Sequence, residues 1–254
     1  MARIQLGLAC GIAVALSACS GMQSIDPTAA LSAGTSLYKA ASLSDSDIVT
    51  VSQEACKASD AQSKVAAPNS AYAKRLTRVM SGFGDMTLNG QKIDYKVYMT
   101  QDINAWAMGN GCVRVYSGLM DKMNDDELRG VIGHEMGHVA LGHSKKAMQT
   151  AYTVSAARTA AGASGNAMAS SLSSSQLGDL TEKFVNAQFS QTQESAADDY
   201  SFDLLKKKGM KREGLVTAFQ KLAQIDGGQS SMLSSHPSSP SRAQHIQSRI
   251  KSEG

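Results

Sequence analysis

The most chemically loaded run in the sequence is Gly133-His134-Glu135-Met136-Gly137-His138, two histidines four apart with a glutamate after the first. Residues four apart share one face of an α-helix, so His134 and His138 can present two imidazoles to one tetrahedral divalent cation. Glu135 lies beside them and can reach a water on that cation as general base. With five histidines among 254 residues, multiplying residue frequencies over the available starts gives this pattern in roughly 0.003 of shuffled chains. A chance pair of surface histidines is therefore the poorer explanation. Leu128, Val131, Ile132 and Val139 around the motif are apolar, which places it in the interior, where imidazoles need partners.

Two histidines and a water leave one protein ligand to find. His143 follows five residues after His138. On a continuing helix that is a rotation of about 500°, turning it away from the metal face toward the surface or an outer layer. Among the downstream acids, Glu182 adjoins Lys183, Glu213 sits in a charged turn and Glu253 is near the terminus, so all three read as solvated. Glu194 differs, being the only charged residue from Phe184 to Ala197 and preceding Ser195-Ala196-Ala197. An acid on a small-residue helix face implies close packing against another element, and Glu194 is the favoured third ligand. Asp198, one turn on, can accept a hydrogen bond from the distal nitrogen of a ligand histidine and fix its tautomer.

The elements that must hold these groups are mostly helical. Asn124, the acids Asp125 and Asp126, and Glu127 at the capping-box position start a helix expected over 125–148. Upstream, helical spacing runs from Ser44 to about Ala61, and again through Tyr72, Leu76, Val79, Met80 and Phe83, with Gly82 and Gly84 ending it. Asn89-Gly90 is a hairpin signal, followed by strands over Ile93–Met99 and Gly111–Tyr116. From Ser155 to Ser175, 16 of 21 residues are Ala, Gly or Ser, a loop or a loosely packed helix pair. Helical period resumes at Leu177 and runs to Lys208, stopped by Gly209. Two short helices then close the chain, through Leu215 to Leu222 and from Pro240 through Ile250. The expected class is α+β, mostly helical.

Composition narrows the function. Hydrophobic residues at 42 % and charged residues at 19 % exclude a disordered chain, and a net charge of +3 is too small to argue for a nucleic-acid partner. Residues 1–18 read as a signal peptide, with Arg3 before an apolar run too short to span a bilayer. Leu16-Ser17-Ala18-Cys19 resembles the bacterial lipobox, which makes Cys19 the acylated first residue of the mature chain. Two acyl chains hold a soluble domain firmly, at about 0.8 kcal/mol per buried CH₂. Ser20 resembles the sorting rule for the outer membrane. Residues 19–43 then read as anchor and tether, and 44–254 as the catalytic domain. Once the signal is removed, Cys56 and Cys112 are the cysteines left besides Cys19, and in an oxidising compartment they are expected to be bridged rather than free.

Glu194-Ser195-Ala196-Ala197-Asp198 after an H-E-x-x-H helix, then His236-Pro237 with Arg242, resembles the gluzincin peptidase family that includes HtpX and the CAAX prenyl endopeptidases. Asn104-Ala105-Trp106-Ala107 adds a further match, with Trp106 where the family usually has Phe. The resemblance covers roughly residues 70–250 and is strongest to periplasmic lipoprotein metalloproteases of the LoiP type. It implies a zincin-type catalytic domain with a small β-sheet edging the cleft, and one Zn²⁺ per chain held by His134, His138 and Glu194. It also implies that Asn104, Ala105 and Trp106 border a cleft where unfolded or misfolded polypeptide adds as a strand. His236 then lies near the metal, stabilising an oxyanion or closing the fourth position and keeping the enzyme latent, while Arg242 anchors the last helix. Residues 155–175 lack the membrane spans of the integral relatives. The implied protein is a zinc endopeptidase on the periplasmic face of the outer membrane. The competing reading is a chaperone or assembly factor working with other envelope proteins, its zinc structural.

Overall fold

The computed structural model describes residues 43–158, 172–225, 231–237 and 240–253. The signal, Cys19 and the tether lie outside the described residues, as does the low-complexity run over 159–171.

Helix α1 (Asp45–Gln62) starts at a capping box, Ser44 accepting from the Asp47 amide while Asp47 accepts from the Ser44 amide. It buries Ile48, Val51 and Ala55. Helix α2 (Ala71–Ser81) is capped by Ser70 and buries Leu76, Val79 and Met80. Between β1 (Thr87–Leu88) and β2 (Gln91–Lys92), Asn89 and Gly90 both have positive φ, 51° and 75°. These are the two positions a tight twisted hairpin places there. Strands β3 (Asp94–Tyr98), β4 (Ala105–Ala107) and β5 (Cys112–Tyr116) form a sheet in the order β3-β5-β4, with β3 parallel and β4 antiparallel to β5. β4 is therefore an edge strand.

Short α3 (Ser117–Lys122) leads into α4 (Asp125–Ala140), which carries the H-E-x-x-H motif. Here the structure corrects the expectation of one helix over 125–148. The helix stops at Leu141, Gly142 takes φ 76°, and α5 (His143–Arg158) starts in a new direction. A glycine just past the last turn supplies the left-handed residue that ends a helix at little steric cost. The helix expected over Leu177–Lys208 is likewise two, α6 (Ser174–Val185) and α7 (Gln191–Lys207). Ser173 with Gln176 and Ser190 with Gln193 each form a capping box. The second box restarts the helix at Gln191, so Glu194 falls in the first turn of α7. Helices α8 (Glu213–Gln224), α9 (Ser231–Ser235) and α10 (Pro240–Glu253) follow.

Packing of α4 on α7 positions the chemistry. A Cβ placed on Gly133 would stand 2.5 Å from Ser201 Oγ, and one on Gly137 would stand 3.0 Å from the Ala197 carbonyl oxygen. Only hydrogens at these positions let the backbones approach so closely. Ser201 Oγ donates to the Gly130 carbonyl at 2.9 Å, clasping the same face. The main core runs from Leu76 and Val79 of α2 through Val113 and Val115 of β5 and Leu128 and Ile132 of α4 to Leu205 of α7. A second apolar cluster joins α1, α5 and α6. The Cys56–Cys112 disulfide ties α1 to β5. Beside it, fully buried Arg114 pairs with Asp60 at 2.8 Å and Asp94 at 2.7 Å, and donates to Cys56 Sγ.

Candidate metal centre

The capping box at Asn124 and Glu127 and three acids in the first turn start α4 where the sequence predicts. Further along the helix, His134, Glu135 and His138 are buried at 1 %, 3 % and 1 % exposure. Their imidazoles converge, Nε2 of His134 lying 3.0 Å from Nε2 of His138. Helix α7 brings Glu194 Oε1 to 3.2 Å from His138 Nε2 and Oε2 to 3.6 Å from His134 Nε2. After α9, His236 places Nδ1 3.3 Å from His134 Nε2 and 3.0 Å from Glu194 Oε1. One ligand atom from each of the four residues lies within 4.8 Å of the others.

This donor set fits zinc. Ligands at about 2.0–2.1 Å from a tetrahedral centre are about 3.3 Å apart, and the separations above run from 3.0 to 3.6 Å. Two imidazoles and a carboxylate are the ligand types of catalytic zinc sites. Glu135 Oε1, wholly buried beside them, has no hydrogen-bond partner, an acceptor that a water held at this site would satisfy.

An outer layer orients the donors. Asp198 Oδ1 is 2.8 Å from His134 Nδ1. A proton there leaves the Nε2 lone pair aimed at the cluster. Arg242 donates to both Asp198 oxygens, at 2.6 and 2.7 Å, and to the Pro237 carbonyl. Its Nη1 also lies 2.6 Å from Glu194 Oε2. The family resemblance implies for Arg242 only an anchor of the last helix; it touches a donor carboxylate as well. His143 is an outer-layer group, as expected, but it reaches that place by another route than a continuing helix. Because the helix breaks at Gly142, its Nδ1 comes to 3.0 Å from His138 Nδ1 instead of turning away. Phe189 stacks on His138 at 3.9 Å, a contact that no residue pattern in the sequence announces. The one available signal for the His143 contact is Leu141-Gly142, which marks a helix stop.

Electrostatics separate the carboxyls. Burial chiefly pushes the Glu135 pKa up, whereas for Glu194 burial is outweighed by hydrogen bonds from His138 and His236 and by nearby positive charge, holding it far below the carboxylate range. Burial also drives the His138 pKa well down, favouring the neutral, metal-ligating ring. For His236 burial acts downward, but the charges of Glu135 and Glu194 raise it overall.

Edge strand β4 packs on α4, bringing Asn104, Ala105 and Trp106 to this side of the fold. Trp106 is buried against Tyr98 and Tyr116, and its Nε1 donates to the Tyr116 hydroxyl at 3.4 Å. Along the edge facing away from β5, the Ala107 carbonyl accepts from Ser144 Oγ and the Ile103 carbonyl from the Met232 amide of α9. Buried Asn104 accepts from the Ala105 amide, while its Nδ2 has no partner.

The profile of Peptidase family M48 matches residues 69–250. The chain belongs to that family. Metalloprotease LoiP of Escherichia coli is 53 % identical over 236 residues, covering 92 % of this chain and 93 % of that protein. Metalloprotease YcaL of the same organism is 52 % identical over 241 residues, covering 94 % of each. Protease HtpX of Thioalkalivibrio sulfidiphilus is 48 % identical over only 50 residues, 18 % of this chain. This M48 chain is thus a zinc metalloprotease, with the zincin-like, mostly helical fold and the potential zinc site that the sequence predicts. No described helix is long and apolar enough to cross a membrane.

Proposed function

We propose that this metallopeptidase is an endopeptidase for extended or misfolded polypeptide, working at the periplasmic face of the outer membrane and anchored through lipidated Cys19. His134, His138 and Glu194 would hold the zinc, with Asp198 fixing the His134 tautomer and Arg242 bracing both carboxylates. When bound, zinc polarises a peptide carbonyl and lowers the pKa of a water toward neutrality. Glu135 accepts the proton of the attacking water and returns it to the leaving nitrogen. The upward push of burial on Glu135 suits a group that must carry that proton between steps. A strand added along β4 would displace the bonds that Met232 and Ser144 make to the Ile103 and Ala107 carbonyls, and would meet Asn104 Nδ2, which has no hydrogen-bond partner, beside them. The carrying observation is Glu135, buried, its Oε1 without a hydrogen-bond partner, next to three converging donors.

His236 supports a second state. Its Nδ1 joins the donor set and its Nε2 is 3.7 Å from Glu135 Oε1. A closed four-ligand site is latent as a protease and compatible with a chaperone role on the same strand edge. Glu135→Gln is expected to retain zinc and lose casein cleavage by several orders of magnitude; equal cleavage by mutant and wild type removes Glu135 from the mechanism. Complementation of a deletion strain by that mutant favours the chaperone.

A further inference from the structure

We infer that the groove between α5 and the α6–α7 connection is a substrate subsite for an extended peptide segment bearing a carboxylate side chain, with Lys146 and Lys183 as the residues that select it. This rests on the peptidase reading above and specifies the substrate class. The groove encloses about 480 Å³, within the range of specific ligand pockets. It lies next to the metal centre, since His143 and Phe189, two side chains packed on His138, both line it.

Its long wall is a stripe on α5. His143, Ala147, Ala151 and Val154 recur at intervals of four, four and three residues, on one helix face, and all border the groove. From His143 to Val154 the helix rises about 16 Å at about 1.5 Å per residue, the length of about five extended residues at about 3.3 Å each. Ala147, Ala151 and Val154 make that stripe small and apolar beyond His143, and Val154 at its far end is 44 % exposed. An extended chain lying there would cover it.

Charge decides what kind of chain. Lys146 on α5 and Lys183 on α6 border the groove from its two sides, and no acidic residue lines it. Neither lysine makes an ion pair among the described residues. Beyond Asn186, which borders both spaces, a neighbouring cavity of about 470 Å³ is lined by Asp102, Asp179 and Glu182. The charged residues that line the two spaces are therefore of opposite sign on either side of Asn186. A carboxylate on the bound segment is drawn to the lysine side and repelled from the other, which sets where along the groove it sits.

The test uses the zinc-loaded full chain carrying Glu135→Gln, which holds peptide without turning it over. Labelled peptides of one apolar-rich sequence carry a single Glu at successive positions, each matched by a Gln twin. At low salt the best Glu peptide is expected to bind about fivefold more tightly than its twin, an advantage that shrinks with added salt. Lys146→Gln/Lys183→Gln should abolish that difference, each single change should reduce it, and Lys146→Glu/Lys183→Glu should transfer the preference to a Lys peptide. Equal affinities for every Glu and Gln pair, or a preference that survives the double substitution, overturn the subsite. Cleavage of both twins by the wild-type chain with equal affinity sinks the subsite alone. A lysine-dependent preference without any cleavage keeps the subsite and sinks the peptidase reading.

Discussion

Gly133→Ala puts the packing that creates the metal centre to a direct test. The added Cβ would stand 2.5 Å from Ser201 Oγ and 3.3 Å from Ser201 Cβ. Ser201 Oγ is held by its bond to the Gly130 carbonyl, so it cannot swing clear without losing that bond. Restoring ordinary contact pushes α7 away from α4 by several tenths of an ångström. Overpacking of this kind costs about 1–3 kcal/mol, while Ala for Gly in a helix interior returns about 1 kcal/mol, leaving a net loss of about 0–2 kcal/mol. The effect on zinc is expected to be larger, because Glu194 rides on α7 while both histidines ride on α4. Ligand distances tolerate only about ±0.2 Å. Zinc affinity should fall at least about tenfold with only a modest change in metal-free stability. Competition with a chromogenic chelator gives the first quantity and denaturant unfolding of the metal-free protein the second. Ser201→Ala in the same chain removes the clashing oxygen and should recover most of the affinity. Wild-type zinc affinity in Gly133→Ala would refute the claim that this close approach assembles the site.

Other outcomes follow from the same contacts. Asp198→Asn, which weakens the hold on His134 Nδ1 and strips Arg242 of a paired carboxylate, should lower zinc affinity about 10- to 100-fold in the same chelator titration. Replacing both Cys56 and Cys112 by Ala opens a loop with a sequence separation of 56; the chain-entropy relation sets the loss at about 4 kcal/mol, read by urea unfolding under oxidising conditions. For Asp60, burial acts upward but hydrogen bonds from Arg114, Lys96 and Tyr98 win, so its folded pKa lies below the ordinary carboxylate value. Its contribution to stability is therefore present above that ordinary value and is lost as pH falls through the depressed one. Asp60→Asn should flatten the acid limb of a stability–pH curve; an unchanged limb would show that the Arg114 pair does not govern it.

Much of the site is legible in the chain because its signals are local. Histidines four apart share a helix face whatever surrounds them, and Asn124 with Glu127 marks where that helix begins. The isolated acid Glu194 followed by small residues announces a close contact, and Asn89-Gly90 announces a hairpin, because each reflects a restriction acting over a few residues. Where two local signals compete, as at Gly142 against continuing helical period or at Ser190 against the run to Lys208, periodicity alone picks the wrong winner.

What only the tertiary structure decided are the meetings between distant segments. Asp198 could serve either histidine, and the crossing of α4 on α7 assigns it to His134. The break at Gly142 turns His143 back onto His138, and the path after α9 carries His236 into the donor set and Arg242 onto both carboxylates. The physical reason is that a cation site samples side-chain positions to a few tenths of an ångström. Sequence spacing sets direction along one element, but the distance between elements comes from how closely their surfaces pack. Here that distance depends on a hydrogen at Gly133 facing Ser201 on a helix far along the chain.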